Sequence, residues 1–122
     1  MNVPMDRSSL YLDPTQPIEK RVDDLVSKMT LEEKVSQTMN SAPAIERLGV
    51  PEYDWWNECL HGVGRAGIAT VFPQAIGLAS TWDVDLVHRM AVATSDEARA
   101  KHHEFLRRGI RKRYTGLTFW SP

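Results

Sequence analysis

Cysteine, excess charge of either sign and long apolar runs are all scarce in this sequence, and each shortage removes a class of function. Cys59 is the single cysteine among 122 residues, so neither an internal disulfide nor a multi-cysteine zinc site can form. Lys and Arg total 15 against 16 Asp and Glu, a formal net charge of −1. That balance provides no basic footprint for DNA, RNA or an anionic membrane, so the expected partners are neither nucleic acid nor membrane. No apolar stretch approaches the roughly 18 residues that a membrane span needs. Residues 1–6, MNVPMD, lack the charged-then-apolar order of a secretory leader. A lone cysteine is compatible with the cytoplasm, the periplasm or the extracellular space, and localisation stays open among them. What remains is ordinary: 42% hydrophobic and 25% charged residues describe a folded globular chain rather than a disordered one.

Residues 1–14 are polar, punctuated by Pro4 and Pro14, and read as an extended N-terminal arm; residues 15–122 form the folded part. Ile18, Val22, Leu25, Val26 and Met29 fall on one helical face, with Pro17 in the first turn. Thr30 followed by Glu33 matches a capping box, so a second helix starts at Leu31 and continues its stripe through Val35 and Met39. Pro43 to Leu48 predicts a short helical turn closed by Gly49. The aromatic run Tyr53 to Glu58 predicts a strand, followed by a loop carrying Gly62, Gly64 and Gly67. Val71 to Pro73 is a brief extended piece, and Gln74 to Ala79 one or two helical turns.

The longest helix is expected to start at Asp83 and stop at Gly109. Its buried face would include Val84, Val87, Met90, Ala91, Thr94, Ala98 and Phe105. Small residues at Ala91, Ala93, Ala98 and Ala100 would let it approach a sheet closely. Tyr114 to Trp120, apolar on both faces, predicts a second strand of a covered parallel sheet. Two strands about 60 residues apart, joined by a long helix, describe a βα unit with a parallel neighbour. The class is α/β, but two strands do not complete a sheet, and the organisation reads as unfinished.

Several residues bear on chemistry. Gly62-Val63-Gly64-Arg65-Ala66-Gly67 spells the dinucleotide fingerprint, yet β-branched residues and Pro73 follow where a helix should open, so a turned loop is the better reading. His102 and His103 are adjacent and point about 100° apart on a helix, and Cys59 with His61 lacks a second ligand pair; no metal or cofactor is expected. No G-x-S-x-G elbow is present. Trp55, Trp56, Glu58, His61 and Trp120 are more informative. Aromatic faces stack on the C–H faces of sugars, and a carboxylate accepts from their hydroxyls. The alternative is a core tryptophan pair beside a surface Glu58.

At these residues the sequence resembles the N-terminal part of glycoside hydrolase family 3 enzymes. The matching stretches are LDPTQPIEKRVDDLVSKMTLEEKVSQ (12–37), RLGVPEYDWWNECLHGVGRAG (47–67), TVFPQAIGLASTWDVDLV (70–87), DEARAK (96–101) and GLTFWSP (116–122). The form DWWNECLHG is closer to the family's β-xylosidases than to its β-glucosidases.

The resemblance implies the first part, roughly half, of a (β/α)8 TIM-type barrel of about 250 residues, preceded by N-terminal helices. The rest of the barrel and a C-terminal α/β sandwich are expected in the whole protein. It implies a retaining, exo-acting β-glycosidase acting on a small oligosaccharide or aryl glycoside, with xylan oligosaccharides first. A β-glucosidase of the same family and a stand-alone carbohydrate-binding fragment are the alternatives. Glu58 stands where glucosidase-like relatives carry a sugar-binding Asp in a D-G-P stretch, so Glu58 is the expected substrate-binding residue. The longer acid and the missing D-G-P set this chain apart, and favour a pentose over a sugar with an exocyclic CH2OH. The family's nucleophile and acid/base lie beyond the segment matching GLTFWSP. No catalytic residue is therefore expected within this chain, and the isolated chain is expected to be inactive.

Overall fold

The computed structural model describes residues 9–120. By its internal packing the chain divides into two units, Met1–Tyr53 and Asp54–Pro122. Of the arm expected over residues 1–14, residues 1–8 lie outside the described part. From Ser9 onward the chain is not extended: Leu10–Leu12 forms one 3-10 turn with Tyr11 buried.

In the first unit, helix α1 spans Ile18–Lys28 and α2 spans Leu31–Ser36. The capping box is formed in full. Glu33 donates its backbone N–H to the Thr30 hydroxyl at 3.2 Å, and Thr30 donates its own to the Glu33 carboxylate at 2.8 Å. Strand β1 (Ser41–Ala42) follows, then a 3-10 turn, Glu46–Leu48, ended by Gly49 at φ 64°. Around that turn Ile45 and Val50 exchange backbone hydrogen bonds at 2.9 and 3.2 Å.

A small core gathers Tyr11, Ile45 and Leu48, with Leu25, Met29 and Val50 packed against it. Tyr11 is tied at three points. Its hydroxyl donates to the Leu48 carbonyl at 2.8 Å, its N–H to Asp24 at 3.0 Å, and its carbonyl accepts from Arg21 at 3.0 Å. This core is too small to cover the apolar stripe of the helices: Leu25 and Met29 reach it, whereas Ile18 and Leu31 stay about 70% exposed. Strand β2 (Tyr53–Asp54) lies across the boundary between the units.

In the second unit, β3 (Asn57–Glu58) leads into the glycine-containing loop, α3 (Ala75–Ala79), α4 (Val84–Arg107) and β4 (Phe119–Trp120). Strands β3 and β4 pair in parallel, Asn57 opposite Phe119 and Glu58 opposite Trp120. The parallel neighbour expected from the spacing is therefore present. Both strands are shorter than expected. The run from Tyr53 to Glu58 is interrupted because the Asp54 carboxylate accepts the Trp56 N–H at 2.9 Å, a local turn that competes with extended pairing. The run from Tyr114 also begins as a turn. Thr115 Oγ1 accepts from Lys112 N–H at 2.9 Å and donates to the Lys112 carbonyl at 2.6 Å, and Tyr114 takes φ 68°.

Helix α4 starts and stops where its end residues dictate. Asp83 accepts the Leu86 N–H at 2.8 Å. At the other end Gly109, φ 68°, donates to Leu106 at 3.0 Å and Ile110 to Phe105 at 2.9 Å, the paired bonds of a Schellman ending. Ala98 packs with Val63 and Ala66, and Phe105, Tyr114 and Phe119 border them. Thr94 is buried beside Ala98 along the same face. The close sheet contact expected of Ala91, Ala93 and Ala100 is not formed; these three are exposed. The two-residue strands β3 and β4 reach only the stretch of α4 around Ala98.

Candidate functional site

Successive residues of a strand point to opposite faces, and the short β3–β4 pair separates its side chains accordingly. On one face Trp56, Glu58 and Trp120 meet. The indole N–H of Trp56 donates to Glu58 Oε1 at 2.8 Å, and the Trp56 and Trp120 rings stack with centroids 6.4 Å apart and planes 12° from parallel. On the other face Phe119 joins the core around Ala98.

Asn57 is completely buried between these elements. Its amide nitrogen donates to the carbonyls of Asp54 and Thr118, each at 3.2 Å, and to Thr118 Oγ1 at 3.3 Å; its oxygen accepts the Gly116 N–H at 2.8 Å. One side chain thus fixes β3 to the approach of β4. That fixes the relative placement of Trp56, Glu58 and Trp120.

The loop after β3 completes the site. Arg65 returns to donate from Nε to Glu58 Oε2 at 3.2 Å, and its guanidinium lies 5.6 Å from the Tyr114 ring centre. Two glycines permit this return. A Cβ on Gly62, at φ 125°, would stand 2.2 Å from the Thr70 carbonyl oxygen. One on Gly64 would stand 3.3 Å from the Glu58 carbonyl oxygen. The glycine spacing that imitates a dinucleotide fingerprint serves this close approach of backbone to backbone, and the next helix opens only at Ala75.

Glu58 is held ionised. The Trp56 N–H and then the hydrogen bond and charge of Arg65 keep its carboxyl below the usual 4.5. Each oxygen accepts one of these donors, and a carboxylate has about four lone-pair positions, so each retains a position for a ligand hydroxyl. The side chain is 33% exposed. Arg113 lies 5.7 Å from the Trp56 ring centre and 3.9 Å from Asp54.

Of the five residues singled out by composition, the structure brings together Trp56, Glu58 and Trp120. Trp55 contributes its backbone carbonyl to Thr118 Oγ1 at 3.3 Å. His61 is directed elsewhere. Its Nδ1–H donates to the Phe72 carbonyl at 2.9 Å, and the ring borders a cavity of about 360 Å³ with Cys59, Phe72, Met90, Thr94 and Phe119. That cavity contains no carboxylate, and it lies on the side of α4 and Phe119. Arg65 escaped the sequence reading. The available signal was an opposite charge seven residues after Glu58, beyond glycines able to fold the chain back.

Residues 18–104 match the glycosyl hydrolase family 3 N terminal domain. A probable beta-D-xylosidase 7 of Arabidopsis thaliana is 43% identical over 116 residues, covering 87% of this chain and 14% of that protein. A beta-xylosidase/alpha-L-arabinofuranosidase 2 of Medicago sativa subsp. varia is 40% identical over 115 residues, covering 86% and 14%. A probable exo-1,4-beta-xylosidase of Aspergillus fumigatus is 40% identical over 121 residues, covering 90% and 15%. The chain therefore spans about one-seventh of the length of these relatives.

Proposed function

This chain belongs to glycosyl hydrolase family 3, and we propose that it forms the sugar-binding front of a retaining, exo-acting β-xylosidase. In this reading residues 15–122 are the opening part of a (β/α)8-type barrel, in which β3 and β4 are its first two strands and α4 its first helix. Glu58 accepts hydroxyls of the terminal sugar, while Trp56 and Trp120 offer ring faces to its C–H surface. The observation that carries the reading is an ionised carboxylate with unfilled acceptor positions, beside two partly exposed and stacked tryptophans.

A retaining mechanism needs a carboxylate nucleophile and a second carboxyl group about 5 Å away as acid and base. We assign both to parts of the protein outside residues 1–122, so this chain binds and orients but performs neither step. The names of the relatives favour a xyloside, and so does the acid itself. Glutamate extends one methylene further than aspartate, occupying the space an exocyclic CH2OH would need while still reaching a pentose.

The experiment is Glu58→Asp in the full-length protein, assayed on aryl xyloside and aryl glucoside. The xyloside-to-glucoside ratio of kcat/KM is expected to fall between about 10- and 200-fold, the range for one methylene-sized group in a pocket. An unchanged ratio would remove Glu58 as the specificity residue and favour a β-glucosidase. Residues 1–122 alone, assayed in parallel, are expected to show no turnover; turnover would overturn the placement of the catalytic groups.

A further inference from the structure

Arg65 does not hold its own position. It takes φ 57°, a left-handed conformation that costs a side-chain-bearing residue free energy and persists only where the surroundings impose it. The loop distal to it, residues 66–70, has no secondary structure. Two side chains of α4 tie that stretch down instead. Lys101 Nζ donates to the Ala66 carbonyl at 3.1 Å and also to the Ile68 carbonyl. Glu97, one turn earlier on α4, accepts the Thr70 N–H at 3.0 Å and the Thr70 hydroxyl at 2.5 Å. Val63 and Ala66 pack on Ala98, which lies between those two residues in sequence. Both flanks of Arg65 are thus referred to one short stretch of α4.

We propose that Glu97 and Lys101 are positioning residues for the sugar site: by clamping residues 66–70 to α4 they set the reach of Arg65, and through it the orientation of the Glu58 carboxylate. The inference rests on Glu58 being the sugar-binding acid. Lys101 neutralises two loop carbonyls that would otherwise lack a partner from regular structure, and Glu97 closes the far end. With either removed, the loop between Gly62 and Thr70 is free to relax the left-handed turn at Arg65, and Glu58 keeps only Trp56.

The test is a double-mutant cycle in the full-length protein with an aryl xyloside. Lys101→Met is expected to raise KM about tenfold with kcat changed less than threefold, the pattern of a misplaced binding group. Lys101→Arg, which can still donate to both carbonyls, should restore most of the loss. In a Glu58→Gln background the same Lys101→Met change should have an effect below about twofold, because the residue it acts through is already altered. Equal losses in both backgrounds would make Lys101 structural only and overturn the proposal. An unchanged KM for Lys101→Met and Glu97→Gln would overturn it as well. If Lys101→Met does not fold, Thr70→Val, which removes one bond to Glu97, carries the same cycle. Glu58→Gln by itself tests the underlying reading: an unaltered KM there removes the sugar-binding role of Glu58, whatever Lys101 does.

Discussion

The two faces of the β3–β4 pair are built from adjacent residues and solve opposite problems. Asn57 is completely buried and uses all its hydrogen-bonding atoms on backbone and hydroxyl groups nearby. Glu58, one position on, is partly exposed and has each oxygen engaged by one donor only. A buried amide must be satisfied within the protein, because an unpaired polar group there is costly. A carboxylate intended for a ligand must stay short of saturation. The buried face therefore ties the strands together, and the open face keeps acceptor positions unfilled.

The largest effect that would break this contrast lies on the buried face. Asn57→Ala strands the Gly116 N–H and removes the side chain that joins Asp54 to Thr118. Its unfolding free energy is expected to fall by about 3 kcal/mol, from leaving several buried groups unpaired, as measured by urea denaturation of the full-length protein. A loss below about 1 kcal/mol would mean that water replaces the amide and that the strand pair does not depend on it.

Trp56→Phe addresses the open face. It keeps a ring to stack on Trp120 and removes only the N–H that holds Glu58. The urea midpoint is expected to stay nearly constant while kcat/KM for an aryl xyloside falls about tenfold, the size of one charge-assisted hydrogen bond. The pH response should move with it. The Glu58 pKa is depressed in the folded protein, first by Trp56 and then by Arg65. Its contribution is therefore present above the unfolded value near 4.5 and lost as pH falls through the lower folded value. Taking away the Trp56 donor raises that folded value, so the acid limb attributable to Glu58 moves to higher pH. A limb that stays in place would show that Arg65 alone sets the charge of the site.

The smallest effect is expected at the end of α4, where Glu104 belongs to neither face. Hydrogen bonds from Arg107 and then Arg108 lower its pKa to about 2, yet both arginines are largely exposed and Glu104 itself is partly so. Exposed pairs of this kind contribute little at neutral pH. Glu104→Gln should shift Tm by less than about 2 °C, and a larger shift would mean the helix end supports the strand pair more than its exposure suggests.

Local chemistry made much of this arrangement legible in advance. Thr30 with Glu33, Asp83, and Gly49 and Gly109 mark element ends because the groups they satisfy lie within a few residues. The parallel pairing of the two aromatic segments followed from their spacing, and Glu58 was marked by its position in the resemblance to family 3. The lengths of the strands were not legible. Asp54 and Thr115 can each either leave the backbone extended or bond to it two or three residues away, and sequence pattern does not weigh that competition. Arg65 was missed for a different reason. Its partner lies seven residues back, across a loop whose path is determined by Gly62 against Thr70 and by Lys101 and Glu97 on a distant helix.

By itself the sequence determined the helices and their ends, the glycine-rich turn after the aromatic strand, and membership of a glycoside hydrolase family. These depend on interactions among near neighbours or on motifs preserved in order. Only the tertiary structure decided which face of the strand each residue occupies, that Trp56 and Arg65 divide the two oxygens of Glu58, and that His61 is directed to the Phe72 carbonyl and the cavity beside it rather than to Glu58. Those outcomes depend on groups far apart in sequence, as in the bond from Asn57 to Thr118 across 61 residues. Their meeting is settled by burial and hydrogen-bond satisfaction across the whole unit.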